Sequence, residues 1–278
     1  MLGKLLKYEM KSSARTLLPL YIGTLVAAVI CGVQMAMMLG SVNGDDIWFH
    51  VGAYRGNGLF SMFLFLLFLA LCVAIMVLTA MIVIQRFNKN LIGDEGYLMF
   101  TLPVTHVQIL SSKLIAGLLW VLIGTVIMSL SGLFIGLPSL LLNLSQADWA
   151  QLWTEILYTM DYWDELLPFV FSTLLNGLFS IVGFILIVYL SIMVGQMEQF
   201  NKHRVAVSVV LFFLINWVFS LVETTIFRAL GLDLFQSLDL AGMQAYNWMM
   251  WGDIAFTAVQ CVLCFAGIIW LMKKKLNL

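Results

Sequence analysis

Apolar residues along this chain neither alternate with polar ones nor recur once per helical turn. They fill six long runs, at about residues 17–40, 59–84, 109–137, 167–194, 205–230 and 253–272. Each run is long enough to cross roughly 30 Å of hydrocarbon as an α-helix. In lipid the backbone must satisfy its own hydrogen bonds, which leaves only helices and closed barrels, and barrel strands would alternate. The pattern therefore predicts an all-α, polytopic membrane helix bundle with six transmembrane helices. Two shorter amphipathic stretches flank the runs, at residues 1–16 and within 138–166.

Composition removes the soluble alternative. Hydrophobic residues make up 62% of the 278 and charged residues 10%, against about 45–50% and about 25% in a soluble domain. No soluble fold of this size could hide so much apolar side chain. The net charge of −1 averages over two membrane faces. Basic residues separate those faces. With the N-terminus inside, twelve of the fourteen Lys and Arg fall on one side, and only Arg55 and Arg228 fall on the other. The long outer segments 138–166 and 231–252 contain none. Both termini are expected in the cytoplasm.

The motifs of soluble chemistry are missing. There is no G-x-x-x-x-G-K-[ST], no H-E-x-x-H and no G-x-S-x-G, so neither a nucleotide nor a catalytic zinc or serine is expected on this chain. No nucleic-acid partner is expected either. Cys31, Cys72, Cys261 and Cys264 lie in apolar runs, where cysteine acts as a small hydrophobe. The Cys261-x-x-Cys264 pair lacks the further ligands of a zinc site. Pro19, Pro103, Pro138 and Pro168 sit near span edges, unlike the mid-membrane breaks of ion-driven carriers. Glu223 is the carboxylate placed well within a run, in the outer part of the fifth span, with Arg228 five residues on. Two readings stand: a local ion pair near the outer interface, or an outer gate or substrate contact. Gln34, Asn176, Asn216 and Gln260 read as interhelical glue.

Residues 2–16 place Lys4, Lys7, Lys11 and Arg15 within about 80° of one another on a helical wheel. The leucines and Met10 lie opposite, as in a helix along the cytoplasmic interface. Glu9 falls in the apolar sector, where it either snorkels or meets a polar partner. The inner loop after the second span reads as a short helix over 94–102. Gly93 ends the preceding helix, Asp94 caps the new one and Pro103 stops it. Thr105 and Gln108 have capping-box spacing for the third span. Tyr97, Leu98, Met99, Phe100 and Leu102 crowd this short segment, and such apolar anchors need a groove or a membrane to cover them.

Gly93-Asp94-Glu95-Gly96-Tyr97-Leu98-Met99-Phe100-Thr101-Leu102-Pro103 closely resembles the coupling-helix region of ABC transporter permease subunits of the type-2 exporter class, Gram-positive type. Leu5-Leu6-Lys7-Tyr8-Glu9-Met10-Lys11 resembles their N-terminal connecting helix. The six-span plan agrees, so the resemblance covers essentially the whole chain. It implies a multi-pass protein of a bacterial cytoplasmic membrane. This protein would pair with a second permease subunit, identical or related, through its first and fifth spans. Each subunit would dock residues 93–103 on a separate ABC ATPase subunit, which holds the ATP and Mg. It further implies export of a substrate (a peptide, drug or lipid-like molecule) and a short or re-entrant helix within 231–252. From a different class comes a second reading: a membrane anchor or sensor that docks a soluble protein through the same loop and transports nothing.

The outer segment 138–166 has no counterpart in that family pattern. Trp149, Leu152, Trp153, Ile156 and Leu157 recur at helical spacing, so residues 145–160 predict an amphipathic helix. Acids follow at Asp161, Asp164 and Glu165. The segment is either an aromatic-belt helix on membrane lipids, or an outer lid whose acids contact cationic substrate.

Overall fold

The computed structural model describes residues 2–39, 57–91, 105–143, 146–161, 163–197, 203–230 and 242–275. Among these, the chain forms seven helices and no strand. They are α1 (Leu2–Leu39), α2 (Asn57–Leu91), α3 (His106–Asn143), α4 (Gln146–Asp161), α5 (Trp163–Gly195), α6 (Arg204–Ala229) and α7 (Gly242–Lys275). All but α4 contain a stretch long and apolar enough to span a membrane: Leu6–Ala36, Leu59–Asn88, Val107–Pro138, Leu167–Gly195, Arg204–Ala229 and Trp248–Lys273. The protein is a multi-pass membrane helix bundle.

Two boundaries depart from the sequence expectation. Residues 1–16 do not form a separate element, because α1 runs unbroken from Leu2 to Leu39. The reason is visible in its burial. Glu9, Ser13, Leu17, Tyr21, Thr24, Ala28, Gly32 and Ala36 form one buried stripe along the helix, at the three- and four-residue steps that keep successive positions on one face. The N-terminal turns thus pack with the same face as the span. Pro19 lies inside α1 on an exposed position, where it removes one backbone hydrogen bond without ending the helix. The second departure is at the sixth span, which begins near Trp248 and so takes Asp253 inside it. Of the 231–252 segment, residues 231–241 lie outside the described residues, and the remainder is continuous with α7.

Elsewhere local signals hold. Thr105 and Gln108 form the reciprocal capping box at the start of α3, with Thr105 N donating to Gln108 Oε1 and Gln108 N to Thr105 Oγ1, both at 3.4 Å.

Contacts divide the chain into two compact units. One comprises residues 4–83 and 119–158. Its core packs Leu17, Tyr21, Ile75 and Trp120 together, with a second cluster of Ala28, Cys31 and Phe68. Tyr21 Oη donates to the Trp120 carbonyl at 3.3 Å, and Cys31 Sγ to the Leu64 carbonyl at 3.3 Å. Gly32 lets α1 approach the backbone of α3 at Phe134 and Ile135; any Cβ there would collide with the Phe134 carbonyl oxygen. Small residues serve this purpose in membranes, where close packing replaces the hydrophobic drive between helices.

The other unit comprises residues 1–3, 84–118 and 159–278. Here α5 packs along both α6 and α7. Asn176 meets Asp253, a Cβ on Gly183 would lie 3.7 Å from Gln260 Nε2, and a Cβ on Gly267 would lie 3.4 Å from Leu190 Cδ1. Each pair is offset by 77 residues (253−176, 260−183 and 267−190), and successive pairs are seven apart. A constant positive offset means that α5 and α7 run parallel in one register. The seven-residue repeat is that of left-handed knobs-into-holes packing, and Gly183 and Gly267 bring the two helices close.

Candidate functional site

Residues 92–104, which include all of Gly93–Pro103, lie outside the described residues. Their two stems do not. The last turns of α2 and the first turns of α3 belong to the same unit as α5, α6 and α7. Phe87 on α2 stacks on Tyr189 of α5 with ring centroids 3.9 Å apart and planes within 10°. Both rings are fully buried. Seven residues further on, just past the end of α5, Gln196 Nε2 donates to Asn88 Oδ1 at 2.8 Å. Across the stems, Lys113 Nζ on α3 donates to the Arg86 carbonyl on α2 at 3.4 Å. Lys113 is itself buried, and a cation near the C-terminal carbonyls of a helix also meets the favourable end of its dipole.

These contacts sit in the best-covered part of the unit. Ile109 and Leu110 of α3, Ile185–Tyr189 of α5 and Ile268, Leu271 and Met272 of α7 are all buried. Five consecutive buried residues mean that α5 is covered all round at this level, as only a central helix can be. The stems of the loop are therefore fixed to the core of the unit.

A second constellation lies on the same α5–α7 line, about 20 Å away at 1.5 Å per residue. Asn176 Nδ2 donates to Asp253 Oδ2 at 2.5 Å and approaches Met250 Sδ at 3.3 Å. Ser180 Oγ donates to Asn176 Oδ1 at 3.0 Å. The Glu223 carboxyl of α6 lies beside that of Asp253. Neighbouring rings close the wall: Phe219 meets Phe256 edge-on at 6.4 Å, and Phe171 lies 6.5 Å from Trp251. The result is one polar knot joining three helices in otherwise apolar surroundings.

The structure sets a second carboxyl, Asp253, beside Glu223, while Arg228 lies exposed in the last turn of α6. Sequence reasoning passed over Asp253 because it was placed at the edge of the sixth run. The flanking Trp248 and Trp251 were the available signal, since interfacial tryptophans mark where a span begins. Asn176 does act as interhelical glue, with a named partner.

The remaining sequence candidates are placed as follows. Lys7, Lys11 and Arg15 are exposed along α1, and Glu9 is buried. Lys4 lies in the first turn of α1, with its side chain outside the described residues. Asp161 ends α4, and Asp164 and Glu165 open α5; their side chains also lie outside the described residues. Among the described residues, no group of three or more His, Cys, Asp or Glu could hold a metal ion. Cys261 donates to the Phe179 carbonyl at 3.7 Å, so this cysteine serves packing between α5 and α7.

No family model, curated protein or solved structure matches this chain.

Proposed function

We propose that this protein is the membrane-spanning permease subunit of an ATP-driven exporter of the type-2 ABC class. A separate ATPase would bind at residues 93–103, and a second permease subunit would complete the transporter. The observation that carries the reading is the resemblance of Gly93–Pro103 to a coupling helix, set on stems that are locked into a buried core. A loop that must pass on force needs rigid attachment, because a compliant stem would absorb the displacement. The parallel α5–α7 pair extends that attachment to the polar knot at Asn176, Asp253 and Glu223. Export would then follow when nucleotide-driven motion of the loop repositions α5 and α7. The exposed apolar surface of α6, which has no buried residue, suits contact with lipid or with the second permease.

The deciding experiment is co-purification with an ATPase encoded beside it, followed by ATP hydrolysis in proteoliposomes. Stimulation of hydrolysis by a transported compound is expected. An ATPase that binds but never responds to any tested compound, with no compound moved, would favour the anchor reading.

Orientation is separately testable. With both termini cytoplasmic, single cysteines at Ser145 and Asn201 in a cysteine-free background should label from opposite sides of intact cells, Ser145 from outside. Labelling of both from one side would overturn the arrangement of spans.

A further inference from the structure

Helix α4 (Gln146–Asp161) is the one described helix that does not qualify as a span. Trp149, Leu152, Trp153, Ile156, Leu157 and Met160 occupy an arc of about 140° at 100° per residue. Gln151, Thr154, Glu155 and Tyr158 take the opposite side. On that side Gln151 Nε2 donates to Glu155 Oε1 at 3.5 Å and Thr154 Oγ1 to the Gln151 carbonyl at 2.7 Å. The apolar side is left uncovered by the chain itself: Trp149, Trp153, Ile156, Leu157 and Met160 are 44–64% exposed. Bare tryptophans in such a row need an occupant.

Connectivity says what that occupant is. α3 continues as helix only to Asn143, five residues beyond the end of its candidate span at Pro138. Two residues then lead into α4. At the other end, one residue separates Asp161 from α5, whose candidate span begins at Leu167. Both ends of α4 are therefore pinned within about 20 Å of hydrocarbon, close to the headgroup layer. A helix held there by both ends, with Trp on its apolar face, matches the interfacial belt.

We infer that α4 is a lipid-docking surface. Its apolar face lies in the headgroup and upper acyl layer of the leaflet opposite loop 92–104, and apolar insertion alone holds it. Charge excludes the commoner mode of attachment. Segment 138–166 carries five acids (Asp148, Glu155, Asp161, Asp164 and Glu165) and no Lys, Arg or His. Anionic headgroups therefore repel it, and zwitterionic lipid is the preferred partner. This inference is independent of whether the protein transports anything.

The test uses the full chain, free of its four native cysteines, with single spin-labelled cysteines at 149, 151, 153, 154, 155, 156, 157 and 160, reconstituted in phosphatidylcholine vesicles. Collision rates with oxygen (lipid-soluble) and a nickel chelate (water-soluble) are compared, with the label at Gln151 as the water-facing reference. The oxygen-to-nickel ratio is expected to rise several-fold at 149, 153, 156, 157 and 160 over 151, 154 and 155. A uniformly water-like profile would mean that the helix stands free as a lid. Low collision rates with both reagents on the apolar side would mean that protein, such as a second copy, covers it. Either result overturns the inference. Repeating the series in vesicles rich in phosphatidylglycerol should leave insertion unchanged or shallower, with no release by added salt. Deeper insertion that salt reverses would overturn the assignment to zwitterionic lipid.

Discussion

Alanine at both Tyr97 and Phe100 is expected to leave the protein inserted and folded while weakening association with the proposed ATPase subunit by roughly thirtyfold or more. The two rings are three residues apart, so on a helix over 94–102 they share a face. Aromatic anchors carry a disproportionate share of interface energy, and losing one that is well buried costs about 2 kcal/mol or more. Both residues lie outside the six candidate spans, so insertion does not depend on them. Asp94 and Glu95 would sit in the first turn, where they favour the helix dipole. The measurement is the yield of complex against permease concentration, alongside transport in vesicles. Wild-type complex yield together with wild-type transport would remove the coupling-helix assignment, and with it most of the case for an ABC permease.

The second large effect is expected below that loop. Phe87→Ala removes a fully buried ring from a stacked pair, leaving a cavity in the most densely covered part of the unit. In soluble cores such truncations cost about 3–5 kcal/mol, and aromatic pairs add about 1 kcal/mol beyond their area. Part of that cost is transfer to water, which lipid reduces, so about 3 kcal/mol is the expected loss. Tyr189→Phe keeps both rings and should change stability little. The same series separates a mechanical role from a purely structural one. Phe87→Leu, which fills much of the space without the stack, should recover most of the stability. If the stem transmits force, that variant should still hydrolyse ATP with poorer coupling to transport. Full coupling in a stable Phe87→Leu variant would assign the stack to packing alone. Equal melting of Phe87→Ala and wild type in detergent would show that the stack carries no stability.

The two effects bear on one line of residues. Loop 92–104 joins a core in which Tyr189 and Leu190 of α5 lie level with Gly267 and Ile268 of α7. From there the seven-residue register runs through Gly183 and Gln260 to Asn176 and Asp253. Close packing makes such a pair stiff, so it is the route by which displacement of the loop would reach the knot in the proposed mechanism.

The sequence by itself determined the fold class, because lipid admits so few backbone arrangements that run length and continuity suffice. It also located α4 and the capping box at Thr105 and Gln108, both set by local spacing. For the N-terminal segment the amphipathic wheel gave the helix but not its continuity with the first span. Only tertiary packing showed that the buried stripe from Glu9 to Ala36 makes it one helix with the first span. The carboxyl that neighbours Glu223 was likewise beyond sequence reasoning. Arg228 is near in the chain, but Asp253 lies thirty residues away and becomes a neighbour only when α6 and α7 pack against α5. The Phe87–Tyr189 stack joins residues about a hundred apart. An apolar run announces that a residue is in the membrane, but every side of such a helix looks alike in sequence. Which side meets protein and which meets lipid is decided by shape, and shape belongs to the assembled helices.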